Sequence, residues 1–389
     1  MKWAKFSKKA SLFFLSIALA ASIPLESVIA AGSKPLYSQV ETGAYATAVL
    51  KTDGTLAMWG SGFDGGLGNG VEGNGYNAKV GNTNQWKQVS VGESHVIAIK
   101  KDGTMWGWGF NDVNQLGLTG KTIRKPTQIG KSRKWKSVST RYGHSAAIAE
   151  DGTLWAWGAN WNGQLGIGSK GNQKAPVQVG RDKDWAQVYT ASFHTTAIKK
   201  DGTMYAWGTG SAGRLGTGNE KDQWKPVKIG AFKWKSISVG SLHTLAIKED
   251  GSLWGWGYNG YRQMGNGNNK DLLKPVQIGK TKDWVSVMAF GFKSYGVKKD
   301  GSLWVWGDVM PEVYKSIDQA YPKRVGTGND WASIARSSTD EKGHVMVLKK
   351  DGTLWGMGYN YNGQIKLGKP DDEPALEPIA IFPTESTKK

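Results

Sequence analysis

Asp-Gly pairs recur along this chain at Asp53, Asp102, Asp151, Asp201, Asp250, Asp300 and Asp351, with gaps of 49, 49, 50, 49, 50 and 51 residues. So regular a period restricts the chain to an array of one supersecondary unit, because such a unit buries its apolar face only against a copy of itself. It also sorts the side chains. Those that recur in every copy serve the array, and those that break the pattern are candidates for function.

One copy reads clearly. Residues 135–139 have the character of a short strand and residues 144–149 form a second. Asp151-Gly152 is a tight turn, since Asp-Gly tolerates the positive φ of two-residue hairpins. Residues 153–158 make a third strand, residues 159–166 a Gly-rich loop, and residues 176–180 a fourth strand whose Pro176 suits the start of an edge strand. Four short strands joined by reversing turns and repeated seven times predict an all-β fold, a seven-bladed β-propeller of four-stranded antiparallel blades. No stretch shows a helical period.

The tryptophans follow the same beat. Of the 20, Trp59, Trp108, Trp157, Trp207, Trp256 and Trp306 end the third strand, and Trp106, Trp155, Trp254, Trp304 and Trp355 lie two residues before that end. Trp86, Trp135, Trp185, Trp234, Trp284 and Trp331 begin the first strand. Side chains alternate along a strand, so the two third-strand indoles share a face. Small residues such as Gly107 and Ala156 lie between them. Repeat-locked aromatics are expected in the core, not in a sugar-binding surface.

Tyr142-Gly143-His144, Asp151-Gly152, Trp157-Gly158 and Gly163-Gln164-Leu165-Gly166 together resemble the RCC1 (regulator of chromosome condensation) repeat. The resemblance runs over about residues 37–383. It implies a closed seven-bladed ring whose terminal strands lie in the same or adjacent blades. The founding member of that family is a nucleotide exchange factor for a small GTPase, and a secreted bacterial β-lactamase inhibitor has a similar propeller. Fold likeness alone does not carry either activity over.

The start of the chain reads as a secretory signal peptide, residues 1–30. Lys2, Lys5, Lys8 and Lys9 precede the apolar run 10–20, and cleavage is expected near Ala30. The alternative is an uncleaved anchor, for which the run is short. The remaining chain is expected to form one propeller, residues 31–383, with a disordered tail, residues 384–389. There is no cysteine, which excludes disulfides, thiolate metal sites and a lipoprotein anchor and fits a bacterial secreted or envelope-associated product. The formal charge is +18, favouring anionic partners such as envelope polymers or serving solubility.

No catalytic constellation is visible, and no cofactor or metal is expected. All five histidines, His95, His144, His194, His243 and His344, hold one repeat position, seven residues before the turn Asp, where the other copies have Ala46 and Lys293. A structural hydrogen-bonding role is expected for them; a ring of imidazoles about a central channel is the alternative. The exceptions to the template are more informative. Phe63, Val113, Trp161, Tyr261 and Tyr361 occupy the middle of the Gly-rich loops, and Phe110, Tyr258 and Tyr359 follow the Trp-Gly or its equivalent. Aromatic side chains on equivalent loops would make a partner-binding arc. Lys101, Lys200, Lys299 and Lys350 precede the Asp-Gly turns and are candidates for a polyanion footprint. The sixth copy departs most, at residues 308–317 and 336–343.

These readings favour a secreted, monomeric, non-catalytic propeller binding a protein or an anionic envelope polymer through one loop-lined face. Nucleic acid is not an expected partner, and no span of a membrane is expected in the mature chain. An enzyme inhibitor of the β-lactamase-inhibitor kind and an exchange factor are the alternatives.

Overall fold

The computed structural model describes residues 37–309, 317–337, 343–365 and 371–381. The leader, the tail and the segments 310–316, 338–342 and 366–370 lie outside the described residues, so most of both departures read from the sequence, 308–317 and 336–343, falls there.

Each copy of the repeat becomes one antiparallel sheet whose strands pair in chain order. The seven sheets are blade 1 (37–79), blade 2 (86–129), blade 3 (135–178), blade 4 (185–229), blade 5 (234–278), blade 6 (284–325) and blade 7 (331–380). They form a seven-bladed propeller. First strands neighbour one another around the centre, so each blade's fourth strand is its outer edge. In blade 3 the strands are Trp135–Thr140, His144–Ala149, Leu154–Gly158 and Gln173–Gln178. The fourth begins earlier than the sequence suggested, and Pro176 lies inside it. An outer strand has an unpaired side, so a missing N–H is tolerated there.

The ring closes between adjacent blades, and the short strand Arg336–Ser337 of the seventh copy joins the sheet of blade 1 as its fifth strand. Glu41 and Thr42 of blade 1 pair in parallel with Arg336 and Ser337 of blade 7, and Trp59 Nε1 of blade 1 donates to Gln364 O of blade 7 at 2.9 Å.

The core lies between blades. Ile148, Leu154 and Leu165 of blade 3 pack with Trp185, Val188 and Trp207 of blade 4. The six tryptophans that end third strands are fully buried, each stabilising the fold by about 2–3 kcal/mol. Tight packing explains the small residue between the paired indoles: a Cβ on Gly107 would lie 2.7 Å from Ile129 and 3.0 Å from Leu116.

At the other end of the sheets the Asp-Gly turns act as read. Asp151 Oδ1 accepts from Thr153 N at 3.0 Å and Thr153 Oγ1 at 2.6 Å, and Trp155 Nε1 donates to that hydroxyl at 2.8 Å. The same relay joins Asp102, Thr104 and Trp106, and Asp300, Ser302 and Trp304. The Thr153 hydrogen bonds hold the Asp151 carboxyl below the usual range.

Candidate functional site

In each antiparallel blade, the connections between strands 1 and 2 and between strands 3 and 4 emerge at one end. The Asp-Gly turns and the crossings to the next blade emerge at the other. Phe63, Phe110, Val113, Trp161, Tyr258, Tyr261, Tyr359 and Tyr361 therefore all belong to one face, the loop face. Lys101, Lys200, Lys299 and Lys350 belong to the opposite face. The aromatic and lysine candidates thus lie on opposite faces and cannot form one binding surface.

On the loop face, Phe63, Trp161, Tyr261 and Tyr361 are exposed, by 66%, 49%, 41% and 43%. Tyr45 and Tyr142, from the connections between strands 1 and 2, join them at 46% and 43%. Val113, Phe110 and Tyr258 are half-buried. Tyr359 is buried and stacks on Tyr361 with ring centroids 5.2 Å apart, so it supports the arc from below. The rings also prop one another across blades. Tyr142 of blade 3 packs on Phe193 of blade 4 at 5.6 Å, and Tyr261 of blade 5 packs on Phe292 of blade 6 at 4.3 Å. Such mutual packing restricts the rotamers of exposed rings, which reduces the entropy they would lose on binding. Tyr45, Tyr142, Phe193 and Phe292 were not singled out from sequence. They immediately precede the His or its substitute by one residue or two, and that shared offset was the available signal.

On the opposite face the paired lysines divide their work. Lys100 Nζ lies 4.0 Å from the Trp106 ring centre, Lys298 Nζ 4.7 Å from Trp304, and Lys349 Nζ 4.2 Å from Trp355. The first lysine of each pair thus caps an indole. Of the second lysines, Lys101 Nζ donates to Asn84 O at 3.0 Å and Lys350 Nζ to Asn329 O at 3.2 Å, tying each turn to the linker that enters its blade. Lys200 and Lys299 are exposed.

The histidines lie between blades, not around the channel, which corrects the alternative of an imidazole ring there. His144 Nε2 is 2.9 Å from Thr195 Oγ1 of blade 4, and that hydroxyl donates to Gln164 O of blade 3 at 2.7 Å. The hydroxyl proton is spent on the carbonyl, so the imidazole contributes the N–H. Trp207 Nε1 donates to the same carbonyl at 3.0 Å. The clasp repeats as His243–Ser294–Gln263 and His344–Thr47–Gln364, the last across the ring closure, and as His95–Ser145–Gln115. Burial pulls the pKa of His95, His144, His243 and His344 down to about 3. Where the histidine is replaced, its hydroxyl partner is replaced too: Ala46 faces a blade with Val96 at the hydroxyl position, and Lys293 faces one with Val345. Lys293 is buried; desolvation draws its pKa down to about 8, against the opposing pull of Asp308.

Arg141 was also not anticipated. It is buried, and its Nη1 donates to Val239 O of blade 5 at 3.0 Å and Ser337 O of blade 7 at 3.3 Å. One guanidinium from blade 3 therefore bridges three blades at the loop end of the centre. Among the described residues no group of His, Asp and Glu is arranged to hold a metal, and no helix is long and apolar enough to cross a membrane.

Two family models described as the regulator of chromosome condensation (RCC1) repeat match the chain. One matches residues 102–148, 151–198, 201–247 and 250–291, and the other residues 86–115 and 234–263; together they span more than half of it. The chain belongs to the RCC1-repeat family. The matched segments include four of the five histidines at this repeat position, and the two blades with a substitute there, blades 1 and 6, lie outside them or only at their end. Comparison with curated proteins produced no match. Among solved structures, human WBSCR16 superposes with a TM-score of 0.73 at 19% identity, covering 83% of this chain and 92% of its own. Prp20p of Saccharomyces cerevisiae, studied with its binding to Gsp1p and histones, gives 0.71 at 20% identity, covering 90% and 88%. Yeast RCC1 (Prp20) bound by Kap60 gives 0.72 at 20%, covering 99% and 92%. At these identities the likeness establishes the RCC1 fold.

Proposed function

We propose that this RCC1-repeat propeller is a secreted, non-catalytic binding protein that engages a protein partner through its loop face. The observation that carries the reading is the exposed arc of Tyr45, Phe63, Tyr142, Trp161, Tyr261 and Tyr361 on one face. Rigid, partly propped aromatics on one surface are the composition of an interface core. Prp20p, which shares the fold, was studied for its binding to the proteins Gsp1p and histones. A protein partner is preferred to an anionic polymer because, of the four lysines considered for a polyanion, Lys101 and Lys350 already donate to backbone carbonyls.

Export is part of the proposal and rests on the basic, then apolar, first 30 residues. Proximity labelling from a loop-face residue, with chain carrying Trp161→Ala and Tyr261→Ala as the control, tests the binding surface. A partner labelled by the parent chain and lost with the double variant supports it; equal labelling by both overturns it. Mass spectrometry of the mature N-terminus tests export, and a product retaining residues 1–30 would overturn that part.

A further inference from the structure

The blade 1–blade 2 junction holds a cavity of about 220 Å³ that opens on the loop face. Its walls include Ala46, Gly66 and Val96, with Ser61 and His95, and Tyr45, Phe63, Asp64 and Glu93 also line it. Three of these positions explain its existence. Ala46 stands where other blades carry the clasp histidine, Val96 where they carry the receiving hydroxyl, and Gly66 where they carry the loop glutamine or arginine. All three substitutions remove volume or polarity from one slot.

The slot also has an acceptor short of a donor. In three of the four clasps the loop carbonyl receives two hydrogen bonds, Gln164 O from Thr195 and Trp207, Gln263 O from Ser294 and Trp306, and Gln364 O from Thr47 and Trp59, and in the fourth Gln115 O receives the Ser145 hydroxyl, so a hydroxyl donor is common to all. The equivalent Gly66 O receives Trp108 Nε1 alone among the described residues, at 3.2 Å, because Val96 has no proton to give. The missing group is a hydrogen-bond donor.

The same fold shows what else fits such a place. At the blade 6–blade 7 junction, where histidine and hydroxyl are again both absent, the position is taken by Lys293, buried beside Asp308 and within 5.6 Å of the Phe290 ring centre. An alkyl stem ending in an ammonium fills that junction from within. At blade 1 the chain provides no such stem, but it provides aromatic rings and the carboxylates of Asp64 and Glu93 among the lining residues. Carboxylates with aromatic faces favour a cation over a neutral group.

We infer that the blade 1–blade 2 slot binds a primary alkylammonium, inserted past Tyr45 and Phe63 to donate to Gly66 O. The ammonium comes either from a lysine side chain of a polypeptide or from a free alkylamine. The site is independent of the protein-binding reading, since it needs only the slot.

The test is titration of the whole chain, followed by methyl NMR of Ala46 and Val96, with three probes: a capped Gly-Lys-Gly peptide, cadaverine, and the peptide acetylated on its lysine Nζ. Saturable shifts with the peptide or with cadaverine, and none with the acetylated peptide, support the inference; the tighter of the two charged probes identifies the source. No saturation with either charged probe, or equal saturation with the acetylated one, overturns it. Val96→Ser supplies the absent hydroxyl to Gly66 O and should weaken binding by roughly tenfold. Ala46→His with Val96→Ser rebuilds the clasp and should abolish it, and the single Val96→Ser variant keeps the test decisive where the double variant does not fold. Unchanged affinity in a folded Val96→Ser variant counts against the inference. Trp161→Ala with Tyr261→Ala should leave the titration as it is, which separates this site from the partner arc.

Discussion

His144 and Thr195 lie 51 positions apart in neighbouring blades, and the imidazole Nε2 approaches the hydroxyl to 2.9 Å. His194 occupies the same repeat position one blade on, opposite Thr244, yet among the described residues neither its ring nitrogens nor the Thr244 hydroxyl has a hydrogen-bond partner. The two histidines are equally buried, so their truncation removes the same volume and differs chiefly in the hydrogen bond. Both His144→Ala and His194→Ala should destabilise the chain, and His144→Ala by about 1 kcal/mol more. Urea denaturation of the two variants measures the difference, and an equal loss would remove the clasp from the account of blade packing.

The same burial makes the fold sensitive to acid. The pKa of His95, His144, His243 and His344 falls to about 3 in the folded chain, from an ordinary value near 6.5. Below about pH 6.5 the unfolded chain takes up protons that the folded chain refuses, so stability falls as pH drops from there toward 3, by about 1.4 kcal/mol per histidine per pH unit. Thermal midpoints should therefore be flat only between about pH 7 and 8, decline steeply between pH 6 and 4, and rise somewhat above pH 8, where the buried Lys293 of the folded chain has given up a proton that the unfolded chain keeps. Histidine ring NMR gives the independent check: imidazoles that titrate near 6.5 in the folded protein would contradict this burial.

The Asp-Gly turns separate two kinds of glycine cost. Gly152 and Gly202 have nearly the same backbone, φ 82° and 83°. A Cβ on Gly152 would meet Lys183 O at 2.0 Å, whereas one on Gly202 has as its nearest atom the side-chain Cγ of Lys233 at 3.3 Å. Gly202→Ala should cost chiefly the left-handed strain, about 1 kcal/mol, and Gly152→Ala should cost at least about 1–2 kcal/mol more because the inter-blade loop must shift. Equal midpoints for the two variants in denaturant would refute the clash.

Much of this was legible from the repeat itself. The period located the blades, and the copied Asp151, Trp157 and His144 proved to be a turn, a core and a clasp. The ends of fourth strands were less legible, because an outer strand has one free side and Pro176 does not mark its start. The division of the two faces was not seen, although strand order alone determines it: Lys101 and Trp161 follow different connections of their blades. The slot at Ala46 was visible only as a missing histidine. Recognising it needed Val96 and Gly66, which are distant in sequence and meet only when blades 1 and 2 pack.

The partner arc makes a prediction that separates contact from support. Trp161 and Tyr261 are exposed, while Tyr359 is 6% exposed and lies beneath Tyr361. Trp161 meets one ring, Tyr142, at 6.4 Å, so Trp161→Ala should leave stability within about 0.5 kcal/mol, whereas Tyr261→Ala gives up the Phe292 contact at 4.3 Å and should cost about 1 kcal/mol. Tyr359→Ala removes a packed ring and should cost about 3 kcal/mol. If the arc binds a protein, each exposed truncation should weaken capture by about 1–2 kcal/mol, or roughly tenfold, with the fold intact. Tyr359→Phe, which keeps the ring and loses only the hydroxyl, should bind as the parent does. Calorimetry of folding and affinity measurements on the same four variants decide the matter: an exposed truncation that unfolds the chain, or a Tyr359→Ala that does not, would reverse the assignment of which rings face the partner.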